Sequence, residues 1–85
     1  MRDLVITEVQ ALRETLLAAL AQGPLVLDLS AVESVDVAGL QLLFAAARTA
    51  RERGTRMVLA PGGASPLVES ALATAGLPHP WSEEE

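Results

Sequence analysis

Ser34-Val35-Asp36-Val37-Ala38-Gly39-Leu40-Gln41-Leu42-Leu43 is the stretch whose reading decides the fold. It passes from residues suited to an extended segment into a run of helix formers, and Asp36 stands at the change. A short carboxylate there accepts from the free amides of a first helical turn, so Asp36 is expected to help cap a helix. That helix opens near Ala38 and runs to about Arg53, where Gly54 ends it. Leu40, Leu43, Ala47 and Ala50 share one face of it, with Phe44 at the edge, and Gln41, Ala45, Thr49 and Glu52 fall roughly opposite. Leu42 points away from this stripe and is expected on the surface. Arg48, Arg51 and Arg53 suit the negative end of the helix dipole.

Upstream, Leu25-Val26-Leu27-Asp28-Leu29 is a nearly unbroken apolar run, too short for a helix and bounded by turn residues. It predicts a strand buried on both faces. Ser30 to Val35 is a connection containing a turn or a short extension of the sheet. Leu4-Val5-Ile6 reads as a first short strand. Thr7-Glu8-Val9-Gln10 matches a capping box for a first helix with its apolar stripe at Val9, Leu12, Leu16, Ala19 and Leu20. Gln22-Gly23-Pro24 stops that helix.

Downstream, Arg56-Met57-Val58-Leu59-Ala60 predicts a further buried strand, and Pro61-Gly62-Gly63-Ala64 a loop. Ser65 is a good N-cap with Pro66 in the first turn of a third helix, whose apolar side is Leu67, Val68, Ala71, Leu72 and Ala75 and which ends at Gly76. Strand and helix alternate three times. The expected fold is therefore α/β: a small, three- to four-stranded, mainly parallel sheet with about three helices. Right-handed crossovers place the loops after Leu29 and Ala60 on one edge, where sites in such sheets concentrate. Residues 1–78 are expected to form one domain, and 79–85 an acidic, flexible tail ending in Glu83, Glu84 and Glu85.

Composition narrows the function. Eighty-five residues allow one small domain, and an apolar content of 51% with almost no aromatics makes its core aliphatic. The chain has no cysteine, which removes disulfides and thiolate metal sites. A net charge of −5 disfavours nucleic acid, because neutralising phosphates needs a basic patch. No basic and apolar leader opens the chain, and no apolar run approaches the roughly 18 residues of a membrane span. A soluble cytoplasmic protein without membrane insertion is the expectation.

No catalytic set can be named, so an enzyme is not expected. The single histidine, His79, lies between two prolines and is read as solvated. Asp28 and Asp36 could share a Mg²⁺ at the strand ends, but bonds from loop amides to Asp28 and a helix cap at Asp36 are the favoured roles. No metal or cofactor is expected. Pro61-Gly62-Gly63-Ala64-Ser65 precedes a helix N-terminus yet lacks the lysine and the spacing of a phosphate loop, which makes a nucleotide module the least favoured of the binding readings.

Four segments in order carry a resemblance: Leu-Val-Leu-Asp-Leu-Ser at 25–30, Val-Asp-Val-Ala-Gly-Leu-Gln-Leu-Leu at 35–43, Arg-Gly-Thr-Arg-Met-Val-Leu at 53–59 and Ala-Gly-Leu at 75–77. Together they resemble the STAS domain family of sulfate transporters and anti-sigma factor antagonists, in its stand-alone bacterial form, over residues 4–77. The resemblance implies a non-enzymatic regulatory module that binds a protein. In such members an Asp-Ser/Thr-x-Gly motif opens the second helix, and a kinase-like anti-sigma factor phosphorylates the hydroxyl. Related small members belong to chemotaxis operons, and others are cytoplasmic subunits of lipid-transport ABC complexes, bound to the ATPase.

Carried over residue by residue, Asp28 and Asp36 match the acidic positions and Gly39 matches the motif glycine, where a partner or an adjacent loop would approach closely. Val37 stands where the phosphoacceptor should be, and Ala38 offers no substitute. The resemblance thus implies a partner surface of Asp36, Val37, Ala38, Gly39, Gln41 and Leu42 without the covalent switch. The expected partner is a kinase-like anti-sigma factor or a transporter ATPase. The family's usual strand pair before the first helix is reduced here to Leu4–Ile6, so an open sheet edge, and with it a homodimer, is also expected.

Overall fold

The computed structural model of the chain describes residues 3–82. Four short strands and three α-helices follow in the order β1 (Asp3–Leu4), a single 3₁₀ turn (Ile6–Glu8), α1 (Val9–Leu20), β2 (Leu25–Leu27), β3 (Ser34–Val35), α2 (Val37–Glu52), β4 (Met57–Leu59) and α3 (Pro66–Ala75). All pairing is parallel. β1 lies beside β3 with Leu4 opposite Val35, and β2 lies beside β4 with Val26 opposite Val58. The strand count, the helix count and the parallel direction are as the sequence predicts, with the four strands in two hydrogen-bonded pairs instead of one continuous sheet.

The second helix begins where the sequence places it. Asp36 is extended, at φ −134° and ψ −178°, and its Oδ1 accepts from the Gly39 amide at 3.0 Å. That bond serves one of the amides the helix itself leaves unpaired. Ser65 does the same for α3, its hydroxyl oxygen accepting from the Val68 amide at 3.2 Å with Pro66 following. Gly76 closes α3 at φ +71°, in the left-handed region that glycine enters without strain.

The first helix starts differently from its predicted capping box. Glu8 occupies the N-cap with no side-chain hydrogen bond, and Thr7 lies within the preceding 3₁₀ turn, closed by the Glu8 amide on the Val5 carbonyl at 2.9 Å. The extra turn takes up the residues the box would need, and it shortens the first strand to Asp3–Leu4.

The core is aliphatic: Leu4, Leu29, Leu43, Met57, Val68 and Leu72 are essentially without exposure. α1 packs along α2 and touches β2, α2 also rests on β1 and β4, and α3 packs on β3. This placement corrects two expectations. β2 is not buried on both faces: Leu25 and Leu27 point inward, while Val26 is 58% exposed. Leu42 is not a surface residue, being only 6% exposed, because α2 is covered on two sides. Leu40, Leu43, Ala47 and Ala50 form the predicted stripe, and Leu42 and Ala46 line a cleft between α2 and α1 together with Leu16 and Leu17.

The expected boundary at residue 78 is also corrected. Trp81 is 5% exposed, the Ser82 amide donates to the Met57 carbonyl at 2.7 Å, and Ser82 bridges Val58 in parallel register. The His79 ring stacks on Trp81 at 4.8 Å, and His79 Nε2 lies 2.7 Å from Glu69 Oε1. Burying an indole gives this segment a reason to dock, and it covers β4 at Met57 and Val58. The acidic Glu83–Glu85 lie outside the described residues. Among those described, no helix is long and apolar enough to cross a membrane.

Candidate functional site

The predicted contact residues separate into a structural half and an exposed half. Asp36 belongs to the first. Its amide donates to the Leu4 carbonyl at 2.9 Å while its carboxylate caps α2, so it ties the end of β1 to the helix start. Gly39 belongs there too. It is buried, and a Cβ built on it would fall on the Leu4 carbonyl and come within 2.7 Å of Leu4 Cγ. The close approach that this glycine permits is made by β1 of the same chain, so Gly39 has no open face for a partner. Leu42 joins them as a core residue.

Val37 and Gln41 are the exposed half, with Ala38 half-buried between them. Val37 is the first residue of α2 and is 67% exposed. No local need accounts for a β-branched apolar side chain there, since valine is a modest helix former and its surface stays wet. One turn later comes Gln41, and beyond it Phe44, Ala45 and Arg48 continue the same side of the helix. Together with Leu40 they form one wall of a groove of about 440 Å³, and Ala75 and Leu77 at the end of α3 form the other. Leu77 is 43% exposed. The spacing of 37, 41, 44, 45 and 48 is legible as one helical side; the arrival of Leu77 opposite is tertiary and has no local signal.

Asp28 stands apart from this groove as a turn residue. Its Oδ1 accepts from the Ser30 hydroxyl at 2.6 Å and from the Ser30 amide at 3.0 Å. The Ser30 hydroxyl bond first, and the amide bond second, hold the Asp28 carboxyl below its ordinary value. These are the structural roles that the sequence favours for Asp28 and Asp36. Among the described residues no cluster of His, Asp and Glu is grouped to hold a metal ion.

The Pro61–Ser65 loop is committed to the fold. The Gly63 amide donates to the Ala60 carbonyl and the Gly63 carbonyl accepts from the Leu29 amide, both at 2.8 Å. A Cβ on Gly63 would lie 2.8 Å from the Leu27 carbonyl oxygen, so this glycine is there to let the loop lie on β2. With the Val68 amide already held by Ser65, the loop has fewer donors to offer a phosphate than its sequence suggests.

Comparison with known proteins bears on the whole of this arrangement. A family model described as Mlab, STAS domain, matches residues 3–79. No curated protein and no solved structure matches the chain. The match runs from β1 through the capped start of α2 to His79 and so takes in nearly all of the described fold. The chain belongs to the STAS domain family.

Proposed function

We propose that this protein is a non-enzymatic regulatory module of the anti-sigma factor antagonist kind, which binds a protein partner through the start of α2 and is not switched by phosphate there. One observation carries the reading. Val37 is 67% exposed at the first position of α2, in the place of the family's acceptor hydroxyl, and it has no oxygen to modify. A phosphate on that position would add about −1.5 to −2 of charge at the contact surface. With valine there, the surface stays uncharged, as in the unmodified, binding-competent state. The partner-facing residues are Val37, Ala38 and Gln41, with Asp36 and Gly39 acting beneath them as positioning residues.

The partner is a kinase-like anti-sigma factor in this reading. A second reading keeps the surface and changes the partner to the ATPase of a lipid-transport complex. The matched family, described as Mlab, STAS domain, is the observation behind it. A chemotaxis role would use the same face. Each reading places the protein in the bacterial cytoplasm. Copurification of the tagged chain from its own cells, followed by mass spectrometry, separates them: a kinase-like ATPase supports the first and a transporter ATPase the second. Identical recovery of every bound protein by the wild type and by Val37→Asp would reject the docking face common to both.

A further inference from the structure

We infer that the groove beside Val37 receives an amphipathic helix of the partner protein, with apolar residues against Val37, Phe44 and Leu77 and an acidic residue against Arg48. The inference rests on the docking face proposed above and specifies what occupies it. Three observations lead to it.

The first is shape. Val37, Gln41, Phe44, Ala45 and Arg48 follow one another at helical spacing along a single side of α2, and Ala75 and Leu77 form the facing wall. From Val37 to Arg48 the helix rises roughly 16 Å, about three turns. A channel of that length floored by side chains suits a short helix laid along it. It offers no row of unpaired backbone groups for a strand, because its long wall is the interior of a hydrogen-bonded helix.

The second is apolar character. Val26, Val37, Leu67 and Leu77 are large hydrophobic side chains left exposed. Two of them, Val37 and Leu77, line this groove together with the half-buried Phe44. Scattered surface hydrophobics need no explanation, but a cluster along one groove marks a contact surface.

The third is charge. Arg48 is exposed at the far end of the groove, and among the described residues no hydrogen bond or ion pair engages it. It also borders the neighbouring cleft between α1 and α2, which Arg13 lines as well. Glu52, one turn further along α2, does not line the groove. On a chain of net charge −5, Arg48 in the groove, with Arg13 beside it in the neighbouring cleft and no carboxylate lining either, makes a local positive site. Such a site selects an acidic group on the incoming surface and disfavours a basic one. The same net charge argues against a second copy of this chain as the occupant.

The test places the photo-crosslinking residue p-benzoylphenylalanine at Gln41, and separately at Ala45, in the full chain expressed in its own cells. The crosslinked peptide is then sequenced by mass spectrometry. The expected product is a segment of another protein with apolar residues at helical spacing and an Asp or Glu within about three turns. Arg48→Glu should lower the yield about tenfold, and exchanging the partner's acidic residue for arginine should restore it. Crosslinks into a second copy, into Glu83–Glu85 of the same chain or into lipid would overturn the inference, as would the lack of any crosslink at either position. If Val37→Asp leaves the crosslink intact, the docking face itself is wrong. If Val37→Asp removes it and Arg48→Glu does not, the face stands and the acidic helix is wrong.

Discussion

The Leu4 carbonyl lies where a side chain on Gly39 would have to be. That carbonyl also accepts from the Asp36 amide, so the end of β1, the cap of α2 and the motif glycine form one joint. Replacing a helical glycine by alanine ordinarily stabilises by up to about 1 kcal/mol. Here the sign reverses, because the obstacle is backbone. Gly39→Ala should destabilise the domain by about 1–3 kcal/mol, read from urea unfolding. A stabilised variant would show that β1 does not sit on α2 in this way.

Leu42 separates the core from the contact surface. Since it is buried between α1 and α2, Leu42→Ala should cost about 2–4 kcal/mol of stability. Val37→Ala should stay within about 0.5 kcal/mol of wild type, because the side chain it shortens is mostly in water. Thermal melting of the two variants checks both values. Equal and small effects would return Leu42 to the surface.

The docked C-terminal segment gives a third prediction. Trp81 is buried and Ser82 is bonded to Met57, so Trp81→Ala should lower stability by about 3–5 kcal/mol. In a domain of this size that corresponds to a fall in melting temperature of at least about 12 °C. A frayed tail would instead leave the melting temperature unchanged.

Asp28 gives a prediction in pH. Its carboxyl is held below the ordinary value by the Ser30 hydroxyl and then by the Ser30 amide. A folded pKa below the unfolded one gives stability that is present above the unfolded value of about 3.9 and lost as pH falls through the folded value. Ser30→Ala removes the larger cause and leaves the amide. The Asp28 pKa should then move part of the way back up, and stability should fall less steeply in acid. A carbon-detected NMR titration of the Asp28 carboxyl reads the shift, and an unchanged midpoint would contradict the turn geometry.

What the sequence reveals of this fold is local chemistry. Asp36 and Ser65 cap because each is a short oxygen acceptor just before an apolar periodic run, and Gly76 ends α3 because only glycine takes that backbone cheaply. Leu42 and Trp81 are misplaced by the same local reasoning. A helix covered on two sides buries more than one stripe, and the second cover, α1, is set by packing rather than by the spacing within α2. Trp81 follows Pro80 in an aperiodic segment, so nothing around it signals the docking on β4. The site divides likewise. Val37, Gln41 and Arg48 can be read along one helix, whereas the wall from Leu77 requires the fold.

The central claim is that the exposed start of α2 binds a protein and that Val37 keeps it in the binding state. The most direct measurement is quantitative mass spectrometry of proteins recovered from native cells with the wild type, Val37→Thr and Val37→Asp. An acidic residue at the first helical position is favoured by the helix dipole, so Val37→Asp should fold normally, and its melting curve verifies this. The account predicts a specific partner recovered by the wild type and by Val37→Thr in its unphosphorylated form, and reduced about tenfold or more by Val37→Asp. Equal recovery by all three folded proteins would contradict it.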